Sequence, residues 1–588
     1  MFLQELYKLY QGLAQEEKVP LVGRSKQRVS FCLVLKQDGG FYLDDAREPN
    51  EKGKMTPIDA TVLGDTKPPG AGINPCFLWD NSCYMLSYDL TKPERAPLCF
   101  AAGKDKYLEV EQSIGDEDYS LFCRFLDQWN PDEQAEHLAA LDYLTHNGLV
   151  RIQGKSGYLH QNPAIISWWE SGGREQWKGV SGKARDVEMG QCLITGQHTA
   201  LARLHEPAIK GVPGAQPGGA KIVSFDKKAF QSYAKDQSYN APVSESAAFA
   251  YCNALNYLLS SSSNRMRIGD ATLVFWSGSQ EKADDATLLF RAMMDPDMAD
   301  AGADAQQDDI NKRVRHSLGL LAQGRCPQDV LDDADSPFYI LALSGNVARL
   351  SVRFYLQSSL GELVAKIQQH QLDMDLQKRS PQFKDPNTIS PFRILRETVR
   401  DSKDIPPLFS GALMRAILNG SPYPDVIAQA IIRRMRVDYF INYVRCSFLK
   451  AWIIRRNPKQ HITTMLDAQN QEIGYVLGRL FAVLQKTQED ALPGLNRSLR
   501  ESFYASASAS PKRVFPRLLK LFTHHVAKLE GGRKVNRDKL MQEVFSLLDP
   551  AVGYPAQLSL EQQGLFSIGF YHQTQAFYEK KTDVNTES

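Results

Sequence analysis

The chain has 588 residues, of which 43% are hydrophobic and 23% are charged, and its formal net charge is +1. At this length and composition we expect a globular protein of about three or four domains, which excludes a mainly disordered chain. The nine cysteines occur singly, without a CxxC pair, and no apolar run approaches the roughly 20 residues of a membrane span, so we expect a soluble cytoplasmic protein without disulfides, zinc finger or membrane partner.

Residues 1–115 are predicted to form a β-rich N-terminal region that begins with an amphipathic helix. The stretch RVSFCLVLKQDGGFYLDD (28–45) is typical of two strands joined by an Asp-Gly-Gly turn. The loop KPPGAGIN (67–74) is stiffened by prolines and turns its polar groups outward. Taken alone, such a loop is more often a simple turn than a binding element.

Residues 116–360 are predicted to form a central α+β region. Its GKS sequence (154–156) does not fit a phosphate-binding loop, because Gly148 lies one residue too far from Gly154, so we expect a strand and a turn there. The segment from Lys210 to Lys221 is rich in glycine and proline, and glycine lets a backbone approach a phosphate or a DNA groove closely.

Two other stretches of the central region invite metal sites. Cys192, His198 and His205 are irregularly spaced, so we expect neither a zinc site nor a catalytic Cys–His pair. The acidic residues near 284–309 lack the order of a calcium-binding loop, and we expect a solvated linker. The stretch FYILALSGNVARLSVRFYL (338–356) predicts two strands around a turn at Ser-Gly-Asn (344–346).

From residue 361 onward the pattern is helical, with a helical region at 361–464 and a C-terminal helical bundle at 465–588. Between Arg497 and Leu540 there are eleven basic residues and three acids, and between Arg433 and Lys459 there are eight and one. A single charged helix is more often a solvated face, but two neighbouring basic blocks favour a surface that binds a polyanion. The candidate contacts to a nucleic-acid backbone are Arg433, Arg434, Arg436, Arg455, Arg456, Arg497, Arg500, Lys512, Arg513, Arg517, Lys520, Arg533, Lys534 and Arg537.

The residues together predict an α+β fold, with a mixed N-terminal part that carries β-hairpins and glycine-rich loops, followed by an all-α bundle. The sequence has no HExxH, GxSxG or phosphate loop and no paired acids at a motif spacing. We therefore expect a non-catalytic protein without cofactor or metal, which binds nucleic acid mainly through its phosphates.

Several stretches resemble a known family. INPCFLWDN, CLITGQHTALARLHEPAIKGVPGAQPGGAKIVSFD, FYILALSGNVARLSVRFY and ALPGLNRSLRESFYASASASP are similar, in family order, to the large subunit of type I-C Cascade, a CRISPR surveillance complex. This resemblance to the Cas8-type subunit spans nearly the whole chain.

The resemblance implies a defined role. Such a subunit joins a guide CRISPR RNA with the backbone and guide-processing subunits of Cascade, recognises the protospacer-adjacent motif in double-stranded target DNA, and aids strand separation. Base pairing with the guide then reads the remaining sequence. A separate helicase–nuclease is recruited afterwards. The resemblance assigns motif recognition to Lys67 and Asn74 in the first loop and to Lys210, Gln216 and Lys221 in the second, whose amide and ammonium groups suit base edges and phosphates.

The basic C-terminal end resembles the small-subunit portion of the family, which holds the displaced strand. The resemblance implies that this portion is also made as a free small subunit by internal initiation, and Met465 is the candidate start. Two alternatives stay open. The chain could be a metal-dependent nuclease or another nucleic-acid-processing enzyme, or it could be a scaffold that binds the guide complex without DNA.

Overall fold

The structure is a computed structural model that describes residues 1–50, 53–67, 72–179, 188–279, 283–295, 308–551 and 553–578. The described residues fall into two compact units. Unit 1 comprises 1–211, 215–257 and 346–350, and unit 2 comprises 212–214, 258–345 and 351–588. The predicted α+β class is confirmed, with mixed sheets towards the N-terminus and helices towards the C-terminus. The region boundaries predicted after residues 115, 360 and 464 stay predictions.

Unit 1 combines short helices with a mixed sheet. Its helices are α1 (Phe2–Gln15), α2 (Ser82–Met85), α3 (Ala96–Ile114), α4 (Glu117–Gln128), α5 (Ala135–Ala139), α6 (Pro163–Trp168), α7 (Arg174–Gly179) and α8 (Glu245–Ser260), the last of which ends in residues assigned to unit 2. Its strands are β1 (Arg24–Leu35), β2 (Phe41–Asp45), β3 (Glu48–Pro49), β4 (Met55–Thr56), β5 (Ile58–Leu63), β6 (Trp79–Asn81), β7 (Asn147–Ile152), β8 (Met189–Gln191) and β9 (His198–Ala200).

Strand β1 lies at the centre of the unit 1 sheet. It pairs antiparallel with β2 and β5 and parallel with β7, which pairs with β6 on its other side. Residues 29–35 of β1 are all buried, as expected for a strand covered on both faces. Leu35 is opposite Phe41, so the predicted hairpin is confirmed.

The GKS sequence follows a strand and lies in a turn, as predicted. Gly148 on β7 is needed for packing, because a Cβ there would lie 2.2 Å from the ring of its strand neighbour Phe31. Lys155 forms an ion pair with Asp118 at 2.7 Å. The glycine and the lysine therefore serve the fold of this unit.

Unit 2 is mainly helical and contains one four-stranded sheet in the order β10, β11, β12, β13. Its strands are β10 (Arg265–Ile268), β11 (Ala271–Ser277), β12 (Pro337–Asn346) and β13 (Arg349–Ser359), and the tip of the last two, residues 346–350, is assigned to unit 1. Its helices are α9 (Ala283–Met294), α10 (Asp308–Ala322), α11 (Pro327–Val330), α12 (Leu360–Asp373), α13 (Pro391–Arg396), α14 (Pro407–Asn419), α15 (Asp425–Asp438), α16 (Tyr443–Arg456), α17 (Ile473–Ala491), α18 (Leu499–Ala507), α19 (Pro511–Val526), α20 (Gly531–Phe545) and α21 (Leu560–Ala576).

The acidic stretch differs from the solvated linker expected from its composition. Its first part forms α9, which buries Leu289, Phe290 and Met294 in the core of unit 2. These apolar residues share one helical face, so acidic residues at the helix start leave the apolar face free to pack. Residues 296–307 of the stretch lie outside the described residues.

Helices α17 and α21 cross with their backbones in contact. A Cβ on Gly478 of α17 would lie 2.0 Å from the carbonyl oxygen of Phe566, and one on Gly569 of α21 would lie 2.1 Å from that of Tyr475. Only glycine permits such an approach at either position. Helix α17 begins the predicted C-terminal bundle and α21 is its last described helix, so the crossing joins the start of the bundle to its end.

We expect Gly478→Ala to lower the free energy of unfolding by about 1–3 kcal/mol, because the added methyl group must displace a backbone carbonyl. Gly532→Ala on α20 is the matched control, since a Cβ there meets nothing within 4 Å. Thermal unfolding of the full chain measures both variants. A Gly478→Ala transition at the wild-type temperature would contradict the close crossing.

Candidate nucleic-acid interface

The second half of the glycine-rich segment pairs its backbone with the turn between β12 and β13. The Gln216 N–H donates to the Val347 carbonyl oxygen at 2.8 Å, and the Lys221 N–H donates to that of Ala348 at 3.0 Å. The Leu350 N–H donates to the Lys221 carbonyl oxygen at 2.8 Å. We call residues 215–221 and 346–350, which all belong to unit 1, the glycine-loop platform.

The shape of the platform requires glycine at position 219. Gly219 has a φ of +99°, and a Cβ there would lie 2.7 Å from that of Ala208. The Gln216 side chain donates from Nε2 to the Gly219 carbonyl oxygen at 3.0 Å. Gln216 is exposed, and its Oε1 has no hydrogen-bond donor in the described part of the chain. That oxygen is therefore free to accept a hydrogen bond from a ligand.

The two lysines that flank this segment differ in their availability. The Lys221 ammonium lies 2.6 Å from a carboxylate oxygen of Glu206 and donates to the His205 carbonyl oxygen, also at 2.6 Å. Its side chain is only 21% exposed, so it mainly stabilises the fold. Lys210 is exposed, and its ammonium has no partner among the residues that the structure describes. Its backbone N–H is fixed by Asn256 at 2.9 Å.

Lys67, at the start of the N-terminal loop, is also held inside the fold. Its ammonium pairs with Asp80 and lies 3.4 Å from the centre of the Tyr84 ring. Asp80 also accepts the Cys76 N–H at 2.9 Å. Burial raises the pKa of the Asp80 carboxyl group, and the Lys67 ammonium opposes this shift. Lys67 thus stabilises a buried carboxylate.

Asn74 ends the same loop and presents its amide to solvent. Its backbone N–H donates to the Tyr84 hydroxyl at 3.1 Å, which fixes its position. Its exposed side-chain amide has no hydrogen bond within the described ranges. Residues 68–71 lie outside these ranges. Of the two predicted residues in this loop, Asn74 is the one available to a ligand.

Helix α19 carries a row of cations and no acidic residue. Its buried face includes Phe515 and Leu518, whereas Arg513, Arg517 and Lys520 are exposed at intervals of four and three residues. The helical rise places Arg513 and Lys520 about 10 Å apart. Exposed Lys512 extends the row, which we call the α19 cation face; none of these four side chains forms an ion pair within the described chain.

Several of the other predicted cations are engaged inside unit 2. Arg434 pairs with Asp438 at 2.8 Å, Arg455 with Asp373 at 2.6 Å, Arg537 with Asp490 at 2.8 Å, and Arg456 with Asp425. Arg436 instead donates to Gln563 at 2.6 Å, and burial lowers its pKa. Arg434 is paired within α15, and the other four arginines join different helices, so all five are poorly placed to bind a ligand in this conformation.

The remaining candidates are Arg433, Arg497, Arg500, Arg533 and Lys534. All except Arg500, which is partly buried, are exposed, and none has an ion-pair partner in the described part of the chain. The candidate residues chosen from the sequence therefore include both exposed cations and cations that are paired within the fold. Only the Arg434–Asp438 pair has a sequence signal, the four-residue helical spacing, since the other acids lie on different helices from their arginines.

Sequence reasoning also missed a basic residue of the platform. Arg349 is not among the candidates chosen from the sequence, yet it forms an ion pair with Asp226 and lies 4.8 Å from the centre of the Phe230 ring. These partners lie about 120 positions earlier in the chain, so no local pattern reveals the contact.

The described residues contain neither a cluster of metal ligands nor a helix that could span a membrane. No group of three or more His, Cys, Asp or Glu side chains there is arranged to hold a metal ion. No helix there is both long enough and apolar enough to cross a membrane.

Comparison with known protein families identifies a match over nearly the whole chain. The model of a family described as CRISPR-associated protein (Cas_Csd1) matches residues 6–578. No curated protein matches the chain.

We expect Lys67→Met to lower the free energy of unfolding by about 3 kcal/mol, because it leaves the buried Asp80 carboxylate without its cation. Asn74→Ala, seven positions away in the same loop, is the matched control and should change it by less than about 0.5 kcal/mol. Thermal unfolding at pH 7 compares the two. Equal effects would contradict the division of this loop into a structural lysine and an available asparagine.

Proposed function

The chain belongs to the CRISPR-associated Cas_Csd1 family, and from this premise we propose that it is the large, Cas8-type subunit of a type I-C Cascade. In this role it recognises the protospacer-adjacent motif in double-stranded DNA, aids strand separation and holds the displaced strand, without catalysing a reaction. Its partners are the guide CRISPR RNA, the backbone and guide-processing subunits, and a helicase–nuclease that is recruited after the strands separate.

The observation that carries DNA binding is the α19 cation face. Four basic side chains are exposed on a helix without an acid, while neighbouring arginines have carboxylate partners within the fold. Exposed cations without a carboxylate partner attract phosphates and release the counterions of the nucleic acid, which drives binding whatever the base sequence. This suits a strand that must be held regardless of its sequence.

Motif recognition is proposed for the available amides, Asn74 and the Oε1 of Gln216. An asparagine or glutamine amide can both donate to and accept from base edges in a groove. Lys210 supplies a free ammonium for a nearby phosphate. Lys67 and Lys221 act through the fold, as the partners of Asp80 and Glu206.

The small subunit is proposed to be the same C-terminal region, made separately from Met465. Met465 is exposed and lies in the connection between α16 and α17. A chain that begins there would lack α16, whose Ile453 side chain would lie 3.1 Å from a Cβ on Gly564 of α21. A free small subunit therefore needs another surface to cover this part of α21.

We expect the triple variant Arg513→Gln/Arg517→Gln/Lys520→Gln to bind single-stranded DNA at least tenfold more weakly at low salt. Loss of three phosphate contacts should reduce the slope of log affinity against log salt by about 2. Fluorescence anisotropy of a labelled oligonucleotide with the full chain measures both quantities.

The matched control removes the same charge elsewhere, by Lys8→Gln/Lys54→Gln/Lys403→Gln, at three exposed lysines. Equal losses for the two triple variants would indicate a net-charge effect and contradict a defined binding face. Cleavage of DNA by the isolated chain that depends on a metal ion and stops on chelation would contradict the non-catalytic role.

We expect Asn74→Ala and Gln216→Ala to relax discrimination among flanking motifs, by about 1–3 kcal/mol for each base that loses a paired contact. Complexes reconstituted with guide RNA and the other subunits, bound to a library of randomised flanks, measure this preference. Lys221→Ala, which removes a side chain that stabilises the loop, is the control that shows how much damage to the loop alone changes the motif preference. Unchanged preferences in both amide variants would refute their role.

A further inference from the structure

Residues 226–240 of unit 1 present a large aromatic side chain to solvent. Tyr233 is 95% exposed, which is more than any other large hydrophobic side chain in the described part of the protein. A tyrosine ring stabilises a fold chiefly by burying its surface, and this ring buries almost none. The stability of the fold therefore does not explain why this tyrosine is exposed.

The backbone below this ring is strained. The Lys235 N–H donates to the Ser232 carbonyl oxygen at 3.0 Å and closes a four-residue turn. The two central residues, Tyr233 and Ala234, have φ values of 51° and 55°. A turn with both central residues in the left-handed region normally contains Asn-Gly, because a Cβ is unfavourable there. Strained backbone of this kind is concentrated at binding and catalytic sites.

The surrounding residues hold the turn in this conformation. The Asn240 side chain accepts the Ser232 N–H at 2.8 Å and donates to the carbonyl oxygens of Lys235 at 2.7 Å and Gln237 at 2.9 Å. Gln231 donates to Asp236 at 2.6 Å across the same turn. One amide thus braces both sides of the turn and fixes the backbone that carries the ring.

Residues 226–240 contain three lysines and two aspartates, of which Asp226 pairs with Arg349 and Asp236 accepts a hydrogen bond from Gln231. Lys227, Lys228 and Lys235 are all exposed. Arg349 of the glycine-loop platform pairs with Asp226 and lies over the ring of Phe230, which connects this segment to the platform within unit 1. Aromatic rings flanked by cations are the combination with which proteins bind unpaired nucleic-acid strands.

We propose that Tyr233 stacks on an unpaired base of single-stranded DNA while Lys227, Lys228 and Lys235 bind the neighbouring phosphates. This proposal rests on the DNA-binding function proposed above and adds a second contact, in a different unit from the α19 cation face. Every base has an aromatic face, so the contact carries no sequence preference. A braced turn loses little backbone freedom when its side chain stacks on a base, which is the advantage of carrying the ring on this turn.

The experiment uses the full chain and single-stranded DNA that contains 2-aminopurine, a base whose fluorescence is quenched by stacking. We expect wild-type protein and Tyr233→Phe to change this fluorescence on binding, since both keep the ring. Tyr233→Ala should abolish the change and weaken binding about tenfold, the typical loss for one stacked base. Tyr42→Ala, at a tyrosine on β2 that is 38% exposed, is the matched control and should behave as wild type.

A Tyr233→Ala protein that retains wild-type affinity and fluorescence change would overturn this proposal. The proposed function would then still stand if the α19 triple variant lost affinity in the same assay. Failure of the wild-type chain to bind any oligonucleotide would overturn both. A fluorescence change with RNA of the same sequence but none with DNA would overturn the choice of DNA.

Discussion

A buried guanidinium needs an acceptor beside it, and this constraint divides the basic residues of the helical half into two groups. Arg445 is 3% exposed and pairs with Glu397 at 2.6 Å and Asp438 at 2.8 Å, and Arg455 is held by Asp373 in the same way. Breaking either buried ion pair would leave a charge without its partner, at a cost of several kcal/mol, so these arginines are not available to a ligand. The cations that remain on the surface, above all those of α19, are the ones a polyanion can reach.

Close backbone contact has two different uses in this chain. In the helical bundle, glycines let α17 and α21 touch and fix the bundle that carries α19. In unit 1, Gly219 lets the glycine-rich segment turn tightly while its backbone pairs with the hairpin tip. Glycine therefore permits the helix crossing that positions α19 in unit 2 and the tight turn that shapes a candidate binding surface in unit 1.

The sequence predicted the fold class, the β1–β2 hairpin and the strands β12 and β13 because these depend on local patterns: alternation, turn residues and helical periodicity. The predicted turn at residues 344–346 instead forms the end of β12, and the chain turns at residues 347 and 348. The sequence also identified α19, whose apolar and basic residues separate by helical spacing. It could not predict which cations are paired, because Arg455 and Asp373 lie 82 positions apart. The acidic stretch was wrongly predicted to be a solvated linker because its many carboxylates were given more weight than the apolar face of α9. Tyr233 was not predicted to be a functional residue because neither its exposure nor the strain of its backbone can be inferred from amino-acid composition.

Chemical modification of lysines, followed by mass spectrometry with and without bound single-stranded DNA, tests the central claim most directly. Lys512 and Lys520 lie on the α19 cation face, Lys8 is exposed in unit 1, and Lys450 is buried in unit 2. DNA should protect Lys512 and Lys520 strongly, leave Lys8 reactive and not change the low reactivity of Lys450. Equal reactivity of Lys512 and Lys520 in the two states, at a DNA concentration that saturates binding, would contradict the account.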